Sequence, residues 1–221
     1  MKKILMHKFS LLFYFLVLVL ACSGDDNPKV APLPNDDTQG IVPTLKNANP
    51  DVLVGSPLSP LSLEIEKYAN IAKMEFSAGQ ALWYARWDGW LGEGDYNFAN
   101  LNKVINFMSE NQIISQVHMI VGPNFYMPDW LLEGTWSNEE LDTMLKDLIY
   151  SMMDANDNKN KVDTWNVVNE AFDQDGNYSE MFWNQLGWEE DASGLTGDDK
   201  INDKHPVFIR KAFEYSREKT T

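Results

Sequence analysis

Apolar residues recur along this chain with two periods. Leu141, Met144, Leu145, Leu148, Ile149 and Met152 fall on one face of a helix, and Ser137-Asn-Glu-Glu140 ahead of them is a capping box that fixes its start. Leu101, Val104, Ile105 and Met108 mark an earlier helix opened by Asp95-Tyr-Asn-Phe98. Leu61, Ile65, Tyr68, Ala69 and Ala72 predict a helix over 61–74. Ile209, Ala212, Phe213 and Ser216 predict a last one from Pro206 to Glu218, with Pro206 in its first turn. Between the helices lie short apolar runs of strand length: Asp51–Gly55, Glu75–Leu82, Ile113–Val121 and Val162–Val168. Strand and helix alternate four times. That order predicts an α/β fold with parallel strands, about the first four βα units of a (β/α)8 barrel.

The strand at 162–168 organises the rest. It is rich in Val and Trp, follows the polar run Asp154 to Lys161, and ends in Asn169 and Glu170. Barrel enzymes keep their chemistry at the C-terminal ends of their strands, so Glu170 is the first candidate for a catalytic residue. An arbitrary Glu in a strand-to-helix loop simply faces solvent; the motif around Glu170 is what separates it from that background. Trp83, Tyr84, Trp87 and Trp90 cluster around Arg86 and Asp88, a composition that suits a sugar-stacking platform and core packing equally. His118 lies inside an apolar strand, where a histidine is ordinarily a satisfied core residue. The acidic segment Gly187 to Lys204 lacks the oxygen spacing of a calcium loop and reads as a solvated loop.

The N-terminus reads differently. Lys2, Lys3 and Lys8 precede an apolar run, Phe9 to Leu20, that is too short to span a membrane and has the pattern of a secretory signal. It closes on Val19-Leu20-Ala21-Cys22, which resembles a bacterial lipobox. Residues 1–21 are therefore expected to be a lipoprotein signal peptide and Cys22 a lipidation site, anchoring the protein at the outer membrane or cell surface. Residues 22–50, with five prolines from Pro28 to Pro50 and no periodicity, read as a disordered tether, leaving 51–221 as the folded part. Cys22 is the single cysteine, so an internal disulfide is excluded. The three histidines, His7, His118 and His205, are scattered, and no metal site or cofactor is expected. A net charge of −15 argues against nucleic acid as a partner.

The run Asp163-Thr-Trp-Asn-Val-Val-Asn-Glu170-Ala-Phe resembles the Trp-Asp-Val-Val-Asn-Glu signature of glycoside hydrolase family 10, the endo-β-1,4-xylanases. Further stretches agree in order. Glu75-Phe76 resembles a Glu-Phe-Asn strand, and Tyr96-Asn-Phe98 precedes a helix as in the family. Val117-His118-Met-Ile-Val121 resembles Gly-His-Thr-Leu-Val, Pro128-Asp-Trp130-Leu resembles Pro-x-Trp-Leu, and Phe208–Tyr215 resembles the helix after the acid/base strand. The resemblance implies a (β/α)8 barrel and retaining hydrolysis of a xylan backbone, which uses two carboxyl groups about 5–5.5 Å apart. It implies that Glu170 is the acid/base, held neutral by partial burial and a neighbouring carboxylate. It further implies that Asn169 bonds the sugar 2-hydroxyl next to the scissile bond and that His118 lines the same subsite. Arg86 stands where the family has a substrate-binding Lys, and Trp87 joins it as a substrate-binding candidate.

The sequence also departs from the family. Leu82-Trp83 replaces Glu-Asn, and Gly122-Pro123 replaces Trp-His. No Glu after Glu170 ends a strand; Glu180, Glu189 and Glu190 lie in helical or loop sequence. A whole barrel takes about 250 residues. The expectation is therefore an N-terminal half barrel with open edges and an uncovered apolar interior, from a longer enzyme or a truncated gene product. It would lack its nucleophile and be inactive alone. The alternatives are a non-catalytic surface glycan-binding lipoprotein and a relic without function.

Overall fold

A computed structural model of the chain describes residues 44–83, 89–191, 194 and 203–220. Cys22, Arg86 and Trp87, and with them the signal and lipidation readings, lie outside the described residues.

Four strands form a parallel sheet in the order β1 (Gly55–Leu58), β2 (Ala78–Leu82), β5 (Ile114–Val121) and β6 (Thr164–Val168). The antiparallel pair β3 (Trp90–Gly92) and β4 (Asp95–Tyr96) is inserted between β2 and β5. Helices alternate with the sheet strands: α1 (Leu45–Ala48), α2 (Glu66–Glu75), α3 (Ala99–Glu110), α4 (Asp129–Glu133) and α5 (Asn138–Asp154). After β6 come an antiparallel pair, β7 (Trp188–Glu190) and β8 (Lys204–Pro206), and the last helix α6 (Val207–Thr220).

The two clearest periodic stretches fold as their patterns predict. In α3, Leu101, Val104, Ile105 and Met108 are all buried. In α5, Leu141, Met144, Leu145, Leu148, Ile149 and Met152 are buried. The Ser137 side chain accepts from Glu140 N, and the Glu140 carboxylate accepts from Ser137 N at 2.8 Å. Lys211 Nζ and Tyr215 Oη of α6 each lie 2.7 Å from a carboxylate oxygen of Asp142 and tie α6 to α5.

Elsewhere the boundaries differ from expectation. Leu61 and Ile65 are 72% and 60% exposed, so the 61–74 stripe buries little. A 3-10 turn, Ser62–Glu64, precedes α2, and Ala72 is the residue of α2 that is buried. β1 lies four residues later than expected, because Leu58, not Val52 or Leu53, reaches the core. Its Pro57 is tolerated because β1 is an edge of this sheet. The folded region reaches further back than residue 51: Leu45 N bonds Glu75 Oε2 at 2.8 Å, and Lys46 Nζ donates to Lys73 O at 2.7 Å. The segment from 187 to 204, expected to be a loop, contains β7 and the first residue of β8, and Pro206 ends β8 before α6 begins. On α6 Phe208 and Tyr215 are buried while Phe213 is exposed.

Alternation along the strands gives the sheet two unlike faces. Gly79, Ala81, Ser115 and Val117 are buried. The opposite face carries two registered rows, Gln80–Gln116–Thr164 and Leu82–His118–Asn166. This inner face was expected to be apolar and is largely polar. Gln80 Nε2 donates to Gln116 Oε1 at 2.6 Å, so the amides satisfy one another across the strands.

Candidate functional site

The site is built where β5 and β6 end. Register pairs His118 with Asn166, and both are half-buried on the inner face. Asn166 Nδ2 lies 2.8 Å from His118 Nδ1 and 3.0 Å from Asn169 Oδ1. Past the last residue of β6, Asn169 N donates to Val121 O at 2.9 Å, which pins Asn169 to the end of β5. His118, Asn166 and Asn169 thus form one hydrogen-bonded unit.

Glu170 follows directly. It is exposed, and its φ of 56° puts it in the left-handed region, uncommon for a residue other than Gly, Asn or Asp. The chain turns sharply here and leaves the strand. Among the described residues, Glu170 is the one carboxylate within two positions of the C-terminal end of a strand of the four-stranded sheet. The partial burial expected for it is not found. β6 is the other edge of this sheet, and among the described residues no further strand stands beside Glu170 to shield it.

The loop after Glu170 is closed by local bonds. Asp173 Oδ1 accepts from the backbone N–H of Asp175 at 2.9 Å and of Asn177 at 2.8 Å. These donors, Asn177 first, hold the Asp173 carboxyl below its ordinary range. Phe172 stacks on Tyr178 with centroids 4.7 Å apart, and Tyr178 meets Trp188 edge-on at 5.8 Å. Asn124, in the loop after β5, accepts from Phe182 N through Oδ1, joining the loops at the two strand ends.

Other sequence candidates are placed elsewhere. Trp83 and Trp90 are buried, and Trp90 stacks on Trp183 at 6.2 Å, so these two members of the aromatic cluster are core residues. Glu189 accepts from Arg210 Nε at 2.7 Å and contacts His205 Nε2 at 3.0 Å, a surface ion cluster that fastens β7 to β8 and α6. Two features escaped the sequence reading. One is Asn166, whose signal was that it occupies the Asp position of the signature. The other is a clip below the site: Asp163 Oδ2 accepts from Ser115 N at 2.7 Å, and Asp163 N donates to Ser115 Oγ at 3.1 Å. No group of three or more His, Cys, Asp or Glu able to hold a metal ion occurs among the described residues.

Known proteins share the sequence pattern and the fold. The family model for glycosyl hydrolase family 10 matches residues 45–220. Endo-1,4-beta-xylanase B of Thermotoga neapolitana is 34% identical over 121 residues, which are 54% of this chain and 34% of that protein. Among solved structures, xylanase 10B from Thermotoga petrophila RKU-1, in complex with xylobiose, superposes with a TM-score of 0.64 at 27% identity. That match covers 82% of this chain and 50% of the other. Native xylanase 10B from Thermotoga maritima gives 0.58 at 30% identity, covering 75% and 45%. The sheet and its helices are thus part of a (β/α)8 barrel, and the chain spans between a third and a half of the length of these relatives.

Proposed function

The chain belongs to glycosyl hydrolase family 10, and from that premise we propose that it is part of a xylanase-like enzyme acting on β-1,4-linked plant polysaccharide. Glu170 is the general acid/base: it protonates the departing glycosidic oxygen and then deprotonates the incoming water. Asn169 and His118 hold the sugar next to the bond being cut. The single observation that carries this reading is the bonded unit His118–Asn166–Asn169, which runs from within β5 and β6 to just past the end of β6, with Glu170 next in the chain. Retaining hydrolysis also needs a nucleophilic carboxylate about 5–5.5 Å from the acid. We place that nucleophile outside these 221 residues, so that the chain by itself binds and does not hydrolyse.

Two measurements on the purified chain test this together. Xylo-oligosaccharides should bind in calorimetry, and His118→Ala and Asn169→Ala should each weaken binding about tenfold, the loss of roughly 1.4 kcal/mol. Xylan should release reducing sugar at the background rate. Absence of binding rules out the substrate class, and steady turnover rules out the missing nucleophile.

A second reading is a surface lipoprotein that binds glycans without cleaving them. The exposure of Glu170 and the replacements Leu82-Trp83 and Gly122-Pro123 favour it. Glu170→Gln within any polypeptide that completes the barrel separates the two, because only an enzyme loses turnover while binding persists. Under either reading we propose that residues 1–21 direct export and that Cys22 carries the lipid that anchors the protein at the membrane. Metabolic labelling with a radioactive fatty acid should mark the wild type and not Cys22→Ser.

A further inference from the structure

An amide nitrogen can donate a hydrogen bond and cannot accept one. With the amides of Asn166 and Asn169 placed as they are, that constraint sets the protons of the site; turning both amides over together, with the His118 proton on Nδ1, is the one arrangement that would reverse them. Asn166 Nδ2 has two hydrogens and two neighbours, His118 Nδ1 at 2.8 Å and Asn169 Oδ1 at 3.0 Å. Each hydrogen has one acceptor, so the donor capacity of the amide is used in full. Turning the Asn166 amide over alone would set its carbonyl oxygen against that of Asn169, two acceptors with no proton between them.

We propose that Asn166 is a positioning residue that sets the hydrogen-bond polarity of the site. Because Nδ1 of His118 accepts, the ring is neutral and its proton sits on Nε2. Because Oδ1 of Asn169 accepts, its Nδ2 is the atom left for a ligand. Neither His118 Nε2 nor Asn169 Nδ2 has a protein partner among the described residues. Both therefore present N–H groups, and the site offers two donors to the oxygens of a ligand. A ligand hydroxyl seated there accepts from the protein and turns its own proton elsewhere. A carboxylate at position 166 would do the reverse. It accepts only, so it would draw a proton onto His118 Nδ1, leave Nε2 as an acceptor, and release the Asn169 amide to turn over.

The functional identity of those oxygens as sugar hydroxyls rests on the reading above; the polarity itself does not. The test is a tautomer measurement on the unliganded chain. Long-range proton–nitrogen correlation of the uniformly 15N-labelled protein distinguishes Nε2–H from Nδ1–H imidazole, and His118→Gln identifies the signal. The wild type is expected to show Nε2–H at His118. Asn166→Asp, nearly the same shape, is expected to move the proton to Nδ1. An Nδ1–H tautomer in the wild type overturns the proposal, as does a folded Asn166→Asp protein with the tautomer unchanged. The wild-type spectrum decides the matter even if the variant fails to fold. The expected tautomers combined with no xylo-oligosaccharide binding would remove the substrate assignment and leave the polarity standing.

Discussion

Ser115 and Asp163, 48 residues apart in the chain, bond to each other through both backbone and side chain at the base of β5 and β6. Ser115 is 1% exposed, and its N–H and hydroxyl both meet Asp163 Oδ2, at 2.7 and 3.0 Å. The clip fixes the stagger of the two strands, and the stagger is what brings His118 opposite Asn166. Asp163→Ala leaves the buried Ser115 N–H without its acceptor. The expected cost is about 1–3 kcal/mol, the desolvation penalty of a buried donor. A lower urea midpoint at unchanged slope would show it; a midpoint equal to wild type would mean that water replaces the carboxylate at no loss.

The capping box of α5 gives a more local prediction. Ser137 supplies the acceptor for Glu140 N, and Glu140 returns a bond to Ser137 N. Ser137→Ala should destabilise by about 1 kcal/mol. The buried stripe from Leu141 to Met153 packs without help from the cap, so the near-ultraviolet circular dichroism of the folded variant should match wild type.

These helices were legible in the sequence because burial repeats along them at the helical period. α2 was less so: Leu61 and Ile65 keep the period and face solvent, and periodicity does not report which face is covered. β1 was displaced because Val52 and Leu53 are apolar and exposed, whereas Leu58 beyond Pro57 is the residue that packs. At the site, His118, Asn169 and Glu170 were found through motif resemblance. Asn166 and the Ser115–Asp163 clip were not, because the contacts of Asn166 with His118 and of Asp163 with Ser115 each span 48 residues and depend on strand register. The polar inner face had the same cause. Gln80 and Gln116 look unremarkable singly and become a bonded pair once β2 and β5 are aligned.

The surface cluster of Glu189, Arg210 and His205 should be visible in the acid limb of stability. Arg210 beside Glu189 holds that carboxyl below its ordinary range, with His205 adding to the effect. A carboxylate depressed in the folded state stabilises above its unfolded value, about 4.3, and loses that contribution as pH falls toward the lower folded value. Arg210→Ala removes the main cause. Relative to wild type it should be less stable near neutrality, and the gap should narrow as pH drops below about 4. Because the pair is solvent-exposed, the difference at neutrality should be below about 1 kcal/mol. Thermal melts across the acid range read this directly, and a gap that stays constant with pH would assign the effect of the variant to lost packing of the Arg210 side chain.

Glu170 combines an exposed carboxylate with a backbone angle that its side chain disfavours. At φ 56° a residue with a Cβ costs about 1–2 kcal/mol, and Asn relieves part of that through its short polar side chain. Replacement by Asn, unlike Gly, adds little entropy to the unfolded chain. Glu170→Asn should therefore stabilise the fold by about 0.5–1 kcal/mol while removing the proposed acid/base. The same change at an exposed Glu in a strand, such as Glu190 in β7, should be neutral or unfavourable, because Asn is poor in strands and the surface ion pair of Glu190 with Lys204 is lost. Paired urea titrations of the two variants make the comparison. A gain at position 170 alone would mean that this backbone is held strained by a side chain kept for its chemistry; a loss at 170 would mean that the carboxylate itself supports the turn and that stability accounts for its presence.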